Sequence, residues 1–327
     1  MDRRSFVIGT AVSAATLAAG RADAQDAYPS HAITVVSPFP PGGVSDVITR
    51  PLDASLEIVF KQPVVLENKA GAAGAVGAQY VASAKADGYT LLTHIVSISG
   101  FAAVDKLFGR TPKFTNDSFI PLARIVADPI VLIVNNDLPY KTLKDLVADA
   151  KANPDKLIFS SSGLYGASHI PTALFAKAAG DLKMRHLPTN GGGPAVTAVL
   201  GGNVNFFMSP TSIALPHIRA GKVRPLAVSS AKRAKSLPDV PTFKEQGYDL
   251  EYYFWVGLFA PKGTPEPVVK TLRAGLDKAV HSEQFLKAMD NLGQELAYMD
   301  QPEFAKFWAD DAKKMEGAIE SIGRVQG

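Results

Sequence analysis

The sequence contains no cysteine. Disulfides, thiolate nucleophiles, cysteine zinc sites and iron–sulfur clusters are therefore excluded, and so is a lipid anchor on a cysteine behind an export signal. Beyond the N-terminus no run reaches about 18 uncharged apolar residues, the length a membrane span needs, so the mature chain is expected to be soluble. Charge of one sign is scarce too. The 34 Lys and Arg nearly balance the 31 Asp and Glu, leaving a net of +3. Those charges are scattered, with no basic stripe interleaved with aromatics, which argues against a nucleic-acid partner. No G-x-S-x-G elbow, H-E-x-x-H, Walker A or G-x-G-x-x-G is present. His31, His94, His169, His186, His217 and His281 never pair at i, i+4, the spacing of a helical metal site. The reading is no catalytic residue, no metal and no cofactor: not an enzyme.

What is present is globular in character. The 327 residues are 46% hydrophobic and 20% charged, enough chain for roughly two domains. Arg3 and Arg4 precede the apolar stretch FVIGTAVSAATLAAG (6–20), and Ala22-Asp23-Ala24 is a small-x-small cleavage site. Residues 1–24 read as an export signal, with a mature start near Gln25. Arg3-Arg4-x-Phe6 fits a twin-arginine signal, and paired basic residues also open ordinary Sec signals; both routes stay open. The expected location is the periplasm.

Strand-like and helix-like segments alternate along the mature chain. AITVVS (32–37) precedes a helix at about 44–60; PVVLEN (63–68) precedes the Ala-rich GAAGAVGAQYVASAK (71–85); YTLLTHI (89–95) follows. IVADPIVLIV (125–134) is a long buried-strand pattern, after which the alternation restarts. This pattern predicts an α/β fold with two lobes, each a sheet flanked by helices. Residues 25–125 plus about 235–327 form a discontinuous first lobe, and about 126–234 the second.

The candidate site lies in the strand-to-helix turns. Ligands of open α/β sheets bind beyond the carboxyl ends of strands, and a helix N-terminus there attracts an anion through its free N–H groups and positive dipole end. In PFPPGGVSDVITR (38–50), prolines stiffen the turn and Gly42-Gly43 clear space for a ligand. Ser45 and Asp46 suit helix capping, and Asp46 could alternatively hold a water or a ligand amine. SSGLYGASHIPTALF (161–175) repeats the device with Ser162, Gly163, Gly166, Ser168 and His169. PTNGGGPAV (188–196), VSISG (96–100) with Ser97 and Ser99, and the end of VNFFMSPTS with Ser209 and Thr211 offer further neutral donors. His94 and His169, at a strand end and a helix start, can line a cleft or serve as satisfied structural histidines. The Ala and Gly of GAAGAVG permit close helix packing.

These turns carry a resemblance. PFPPGGVSDVITR, ENKAGAAGAVGAQYVASAKADGYTLL, SSGLYGASHIPTALF, GGGPAVTAVLGGNVNFF and AGKVRPLAVSSAKRAKSLPDVPTFKEQGY are similar to the substrate-binding receptors of tripartite tricarboxylate transporters, the Bug-type periplasmic proteins. The resemblance runs from about Tyr28 to the C-terminus. It implies a two-lobed, type II, Venus-flytrap periplasmic binding protein that captures a small organic carboxylate and passes it to a membrane permease, most simply as a monomer. A ligand sensor of the same fold signalling to a membrane kinase is the alternative. The resemblance places the ligand between Phe39–Asp46, including Pro40, and Ser161–His169. Phe39 would cover it, and Tyr165, at a position that is commonly small or polar, would shape specificity by stacking on it. TNGGG replaces the commoner Y-K-G-G, so Asn190 stands where a cation would, which implies altered distal recognition.

Overall fold

The computed structural model describes residues 28–294 and 296–325. The expected export signal lies outside the described residues. Strand β1 (Ile33–Ser37) pairs in parallel with β2 (Val64–Asn68) and β3 (Thr90–Ile95). Parallel neighbours require crossovers, which α1 (Val44–Phe60) and α2 (Ala75–Ala82) supply. The Ala-rich stretch does not form one helix from residue 71. Ala72 and Ala73 adopt positive φ (47° and 54°), so a short 3-10 turn at Ala72–Gly74 precedes α2. Its small residues do permit close packing: a Cβ on Gly77 would lie 2.7 Å from the Pro38 Cβ.

Strand β4 (Phe119–Asn135) is longer than the apolar run suggested. Seventeen residues of extended chain span about 55 Å, and β4 uses that length to join two sheets. Phe119 to Pro129 pair antiparallel with β9 (Tyr253–Pro261), which also borders β3. Ile130 to Val134 pair with β7 (Phe206–Pro210) on one side, and the same end pairs with β8 (Val223–Val228) on the other. Beyond β7 lie β5 (Ile158–Ser161) and the edge strand β6 (Arg185–Pro188), both parallel. Residues Ile130 to Val134 are fully buried, which is why the sequence there is continuously apolar rather than alternating.

Helix α3 (Phe101–Leu107) follows a 3-10 segment at Val96–Gly100 in the first half. In the second half α4 (Leu143–Ala152), α5 (His169–Ala178), α6 (Gly192–Leu200) and α7 (Thr211–Arg219) flank the sheet. After β8 the chain stays with the second half for a further stretch. Phe243 donates its N–H to the Val228 carbonyl at 3.0 Å and packs its ring on Phe175 at 5.2 Å. Ser229 then braces the crossing: its hydroxyl accepts from Ile130 N–H at 2.9 Å and donates to the Tyr252 carbonyl.

Helices α8 (Glu266–Val280) and α9 (Glu283–Leu292), strand β10 (Leu296–Asp300) and helix α10 (Gln301–Ile322) complete the chain. Phe304 and Trp308 of α10 bury their rings on Trp255 and Phe259 of β9, with centroids 5.4 Å apart for Phe304 and Phe259 and 4.9 Å apart for Trp308 and Phe259. Burial of two such rings stabilises the fold by about 2–3 kcal/mol each. The C-terminal helix is thereby fixed to the first sheet.

Candidate functional site

The two halves meet at a closed gap. A small cavity of about 10 Å³ lies there, close to the space one water requires. Its lining is assembled by helix starts. Gly43, the N-cap of α1, lines it with Val44 and Ser45; Ser168, the N-cap of α5, lines it with Ser162; Gly192 opens α6, and Pro210 is the N-cap of α7. Phe39 forms one wall. No Arg, Lys, Asp or Glu is among the lining residues. Each helix start leaves N–H groups without an intrahelical partner and the positive end of a dipole. At α7 that end is already answered by a carboxylate: buried Asp128 of β4 accepts from the Ser212 N–H at 2.9 Å, from its hydroxyl at 2.7 Å, and from the Thr211 hydroxyl. Burial pushes Asp128 up to about 6, against the pull of these donors. The start of α1 carries Asp46 in its first turn, paired with Arg50 and outside the cavity lining, whereas the first turns of α5 and α6 hold no acidic residue.

The capping expected of Ser45 and Asp46 does not occur, because α1 begins at Gly43 with no side-chain cap bond. The Ser45 hydroxyl pairs with Ser37 at 3.1 Å. Asp46 instead organises the turn before the helix. It accepts from the Gly42 N–H at 3.1 Å and from Arg50 at 3.0 and 2.9 Å, and it lies 3.4 Å from Asn68, which also donates to the Phe39 carbonyl at 2.9 Å. Burial alone would raise its pKa, but the bonds from Arg50, Gly42 and Asn68 outweigh that and hold the carboxyl below its usual range. With its oxygens so engaged, Asp46 acts as a brace for Phe39 and Gly42.

In the second turn the Ser168 hydroxyl accepts from the Ser162 N–H at 2.8 Å and shares a bond with the Ser162 hydroxyl at 3.0 Å. Gly166 N–H donates to the Gly163 carbonyl at 2.9 Å, so this turn is internally tied. The glycines set how closely the halves approach. Gly163 has φ +122°, and a Cβ there would lie 3.0 Å from the Ala73 Cβ; Gly191 has φ +148°, and a Cβ there would lie 3.1 Å from the Pro40 Cδ.

Of the residues expected at the site, Phe39, Gly43, Ser45, Ser162 and Ser168 surround the cavity. Pro40 packs beside Gly191, and Gly42 is exposed above the turn. Gly163, Tyr165 and Asn190 line a neighbouring groove. Others face away. Ser99 donates to Asp311 of α10 at 2.5 Å, and Ser97 to the Ala73 carbonyl at 3.5 Å. Ser209 bonds the Pro210 carbonyl at 3.0 Å. His169 turns to the reverse of its own turn, its ring 4.6 Å from that of His186 and its Nδ1 without a partner; burial pushes it down to about 3. Tyr165 does not present its ring face to the cavity: its hydroxyl is bonded to residues 323–325. Sequence reasoning missed the apolar part of the lining, including Ile95, Phe207, Ile213 and Phe254. Their positions at strand ends and in a helix's first turn were the available signal.

The family model described as the tripartite tricarboxylate transporter family receptor matches residues 48–324. The chain belongs to this family. It is 34% identical over 325 residues to the protein BugT of Bordetella pertussis, covering 99% of this chain and 98% of that one. Among solved structures, the periplasmic binding protein BugD superposes with a TM-score of 0.84 at 32% identity, covering 90% of this chain and 99% of that one. An R. palustris protein solved with adipate gives 0.85 at 28% identity, covering 90% and 98%. MatC from Rhodopseudomonas palustris with bound malate gives 0.82 at 28%, covering 89% and 99%. The two-lobed type II fold follows, and the chain is a solute-binding receptor rather than an enzyme. No helix among the described residues is long and apolar enough to cross a membrane.

Proposed function

We propose that this receptor captures a small organic carboxylate in the periplasm, grips one acid group in the gap between its lobes, and delivers the ligand to the permease of a tripartite tricarboxylate transporter. We take the first lobe as residues up to about 126 plus those beyond about 252. The packing of Phe243 on Phe175 of the second half supports a return after that residue, where the sequence reading put it at about 235. One observation carries the reading: the starts of α1, α5 and α6 converge on a cavity whose lining holds no charged side chain. Neutral N–H and hydroxyl donors favour an anion there, and without a cation the bound acid can be released. The cavity is too small for a carboxylic acid as it stands, so entry requires the lobes to part, and closure follows from contacts made by both.

A thermal-shift screen of the purified chain across carboxylates tests this. A ligand at a hundredfold excess over its Kd stabilises the folded form by about 2.7 kcal/mol. Ser168→Asp, which places a negative charge against the acid, is expected to abolish the shift while leaving the circular dichroism spectrum folded. Unchanged affinity in that variant would remove the second turn from the site.

A further inference from the structure

Beside the closed gap runs a groove of about 990 Å³ that none of the cavity-lining residues shares. Its walls are the Ala72–Gln79 segment and α3 from the first half, the 110–114 loop, and the Gly163–Tyr165 turn with Pro188–Asn190 from the second. The same turn that supplies Ser162 to the cavity therefore supplies Gly163 and Tyr165 to the groove, and the close approach of Gly163 to Ala73, both in the groove lining, is a seam between the halves. The groove is aromatic: Phe101, Phe108, Phe114 and Tyr165 contribute rings, with Phe101 and Phe114 5.5 Å apart and Phe108 and Tyr165 5.8 Å apart. Its charged lining is Asp105, Arg110 and Lys113. Arg110 is bonded to Asp105 at 2.9 Å, which neutralises that pair. Lys113 is exposed and has no ion-pair partner among the described residues, so the lining carries one uncompensated positive charge, and the Arg324 guanidinium, 5.7 Å from the Phe108 ring, adds to the positive field beside it.

We propose that this groove selects the ligand class: a carboxylic acid with an aromatic body and a second anionic group at its far end. The inference rests on the carboxylate-receptor reading above. The first acid group sits at the helix starts. The body extends past Gly163 once the seam opens and packs on the rings, whose faces and edges favour another planar ring. Lys113 then meets the distal acid.

The test is titration calorimetry on the full mature chain with three probes: 4-carboxyphenylacetate, its uncharged-end counterpart 4-methylphenylacetate, and succinate. The expected order is 4-carboxyphenylacetate tightest and succinate weakest. Lys113→Gln, at an exposed position that leaves folding intact, is expected to weaken 4-carboxyphenylacetate about tenfold, the scale of one charge-assisted bond, and to leave 4-methylphenylacetate unchanged. Phe108→Ala is expected to weaken both aromatic acids. Succinate binding as tightly as the aromatic diacid, or Lys113→Gln leaving that diacid unaffected, would overturn the inference while the receptor reading stands. Failure of every carboxylate to bind would overturn both.

Discussion

The hydroxyl of Tyr165 donates to the Gly323 carbonyl at 2.8 Å and accepts from the Val325 N–H at 2.7 Å. Tyr165 belongs to the second-half turn, whereas residues 323–325 follow the helix anchored on the first sheet. Arg324 adds a bond to the Leu107 carbonyl at 2.8 Å, and Lys177 of α5 bonds the Ser321 hydroxyl at 2.8 Å. Residues 321–325 are thus stitched to both halves.

Removing the Tyr165 hydroxyl is expected to loosen the closed form. Tyr165→Phe deletes two hydrogen bonds, each worth about 1 kcal/mol. The ligand should dissociate about tenfold faster, with association little changed, as measured by stopped-flow displacement. A dissociation rate equal to the parent's, with only the melting temperature lowered, would mean that the stitch holds in open and closed forms alike.

Gly163 sets the distance of closest approach. Gly163→Ala puts a Cβ 3.0 Å from Ala73 at a φ of +122°, a backbone region that costs a side-chain-bearing residue about 1–3 kcal/mol. Affinity should fall by about tenfold or more, and solution scattering should show an expanded form at ligand concentrations that compact the parent. Because Ala73 itself sits at positive φ, adding Ala73→Gly relieves both the contact and the strain there, and should recover part of the loss. No recovery in the double variant would place the effect elsewhere than in this seam.

Asp53 gives the fold a pH signature. It is buried on α1, both its carboxylate oxygens lack partners, and burial pushes it up to about 8. The folded state therefore holds a proton that the unfolded chain, with its ordinary value of 3.8, has released, and stability falls as pH rises between those values. Burial pushes His94 and His186 down to about 4 and His169 to about 3. Their stability contribution is complete above about 6.5 and is lost as the pH falls below it. From pH 6.5 to 8, then, Asp53 dominates, with a loss on the order of 2 kcal/mol. Asp53→Asn should flatten the melting temperature across that interval. An unchanged slope in the variant would assign the effect to another group.

Local chemistry explains what the sequence made legible. Gly-Gly and the prolines of residues 38–43 mark a turn, and the apolar spacing from Val44 to Phe60 marks the helix behind it, so the first wall of the gap could be located directly. The second turn was equally readable from Ser161 to Ser168. Side-chain direction was not. Ser99 and His169 occupy plausible positions, yet one hydroxyl is drawn to Asp311, more than two hundred residues away, and the imidazole turns to His186. The α7 helix was hidden by Pro210 and Pro216, and its carboxylate partner Asp128 by the sheet that brings them together. Pairings of that separation are decided by topology rather than by neighbours in the chain.

The seventeen-residue β4 has a mechanical consequence. A single extended segment runs unbroken from one sheet into the other, and its return partner is pinned to it through Ser229. Any change in the angle between the two sheets must therefore be taken up by bending this strand and the braced return at Ser229 together, because no slack linker separates the sheets on that strand.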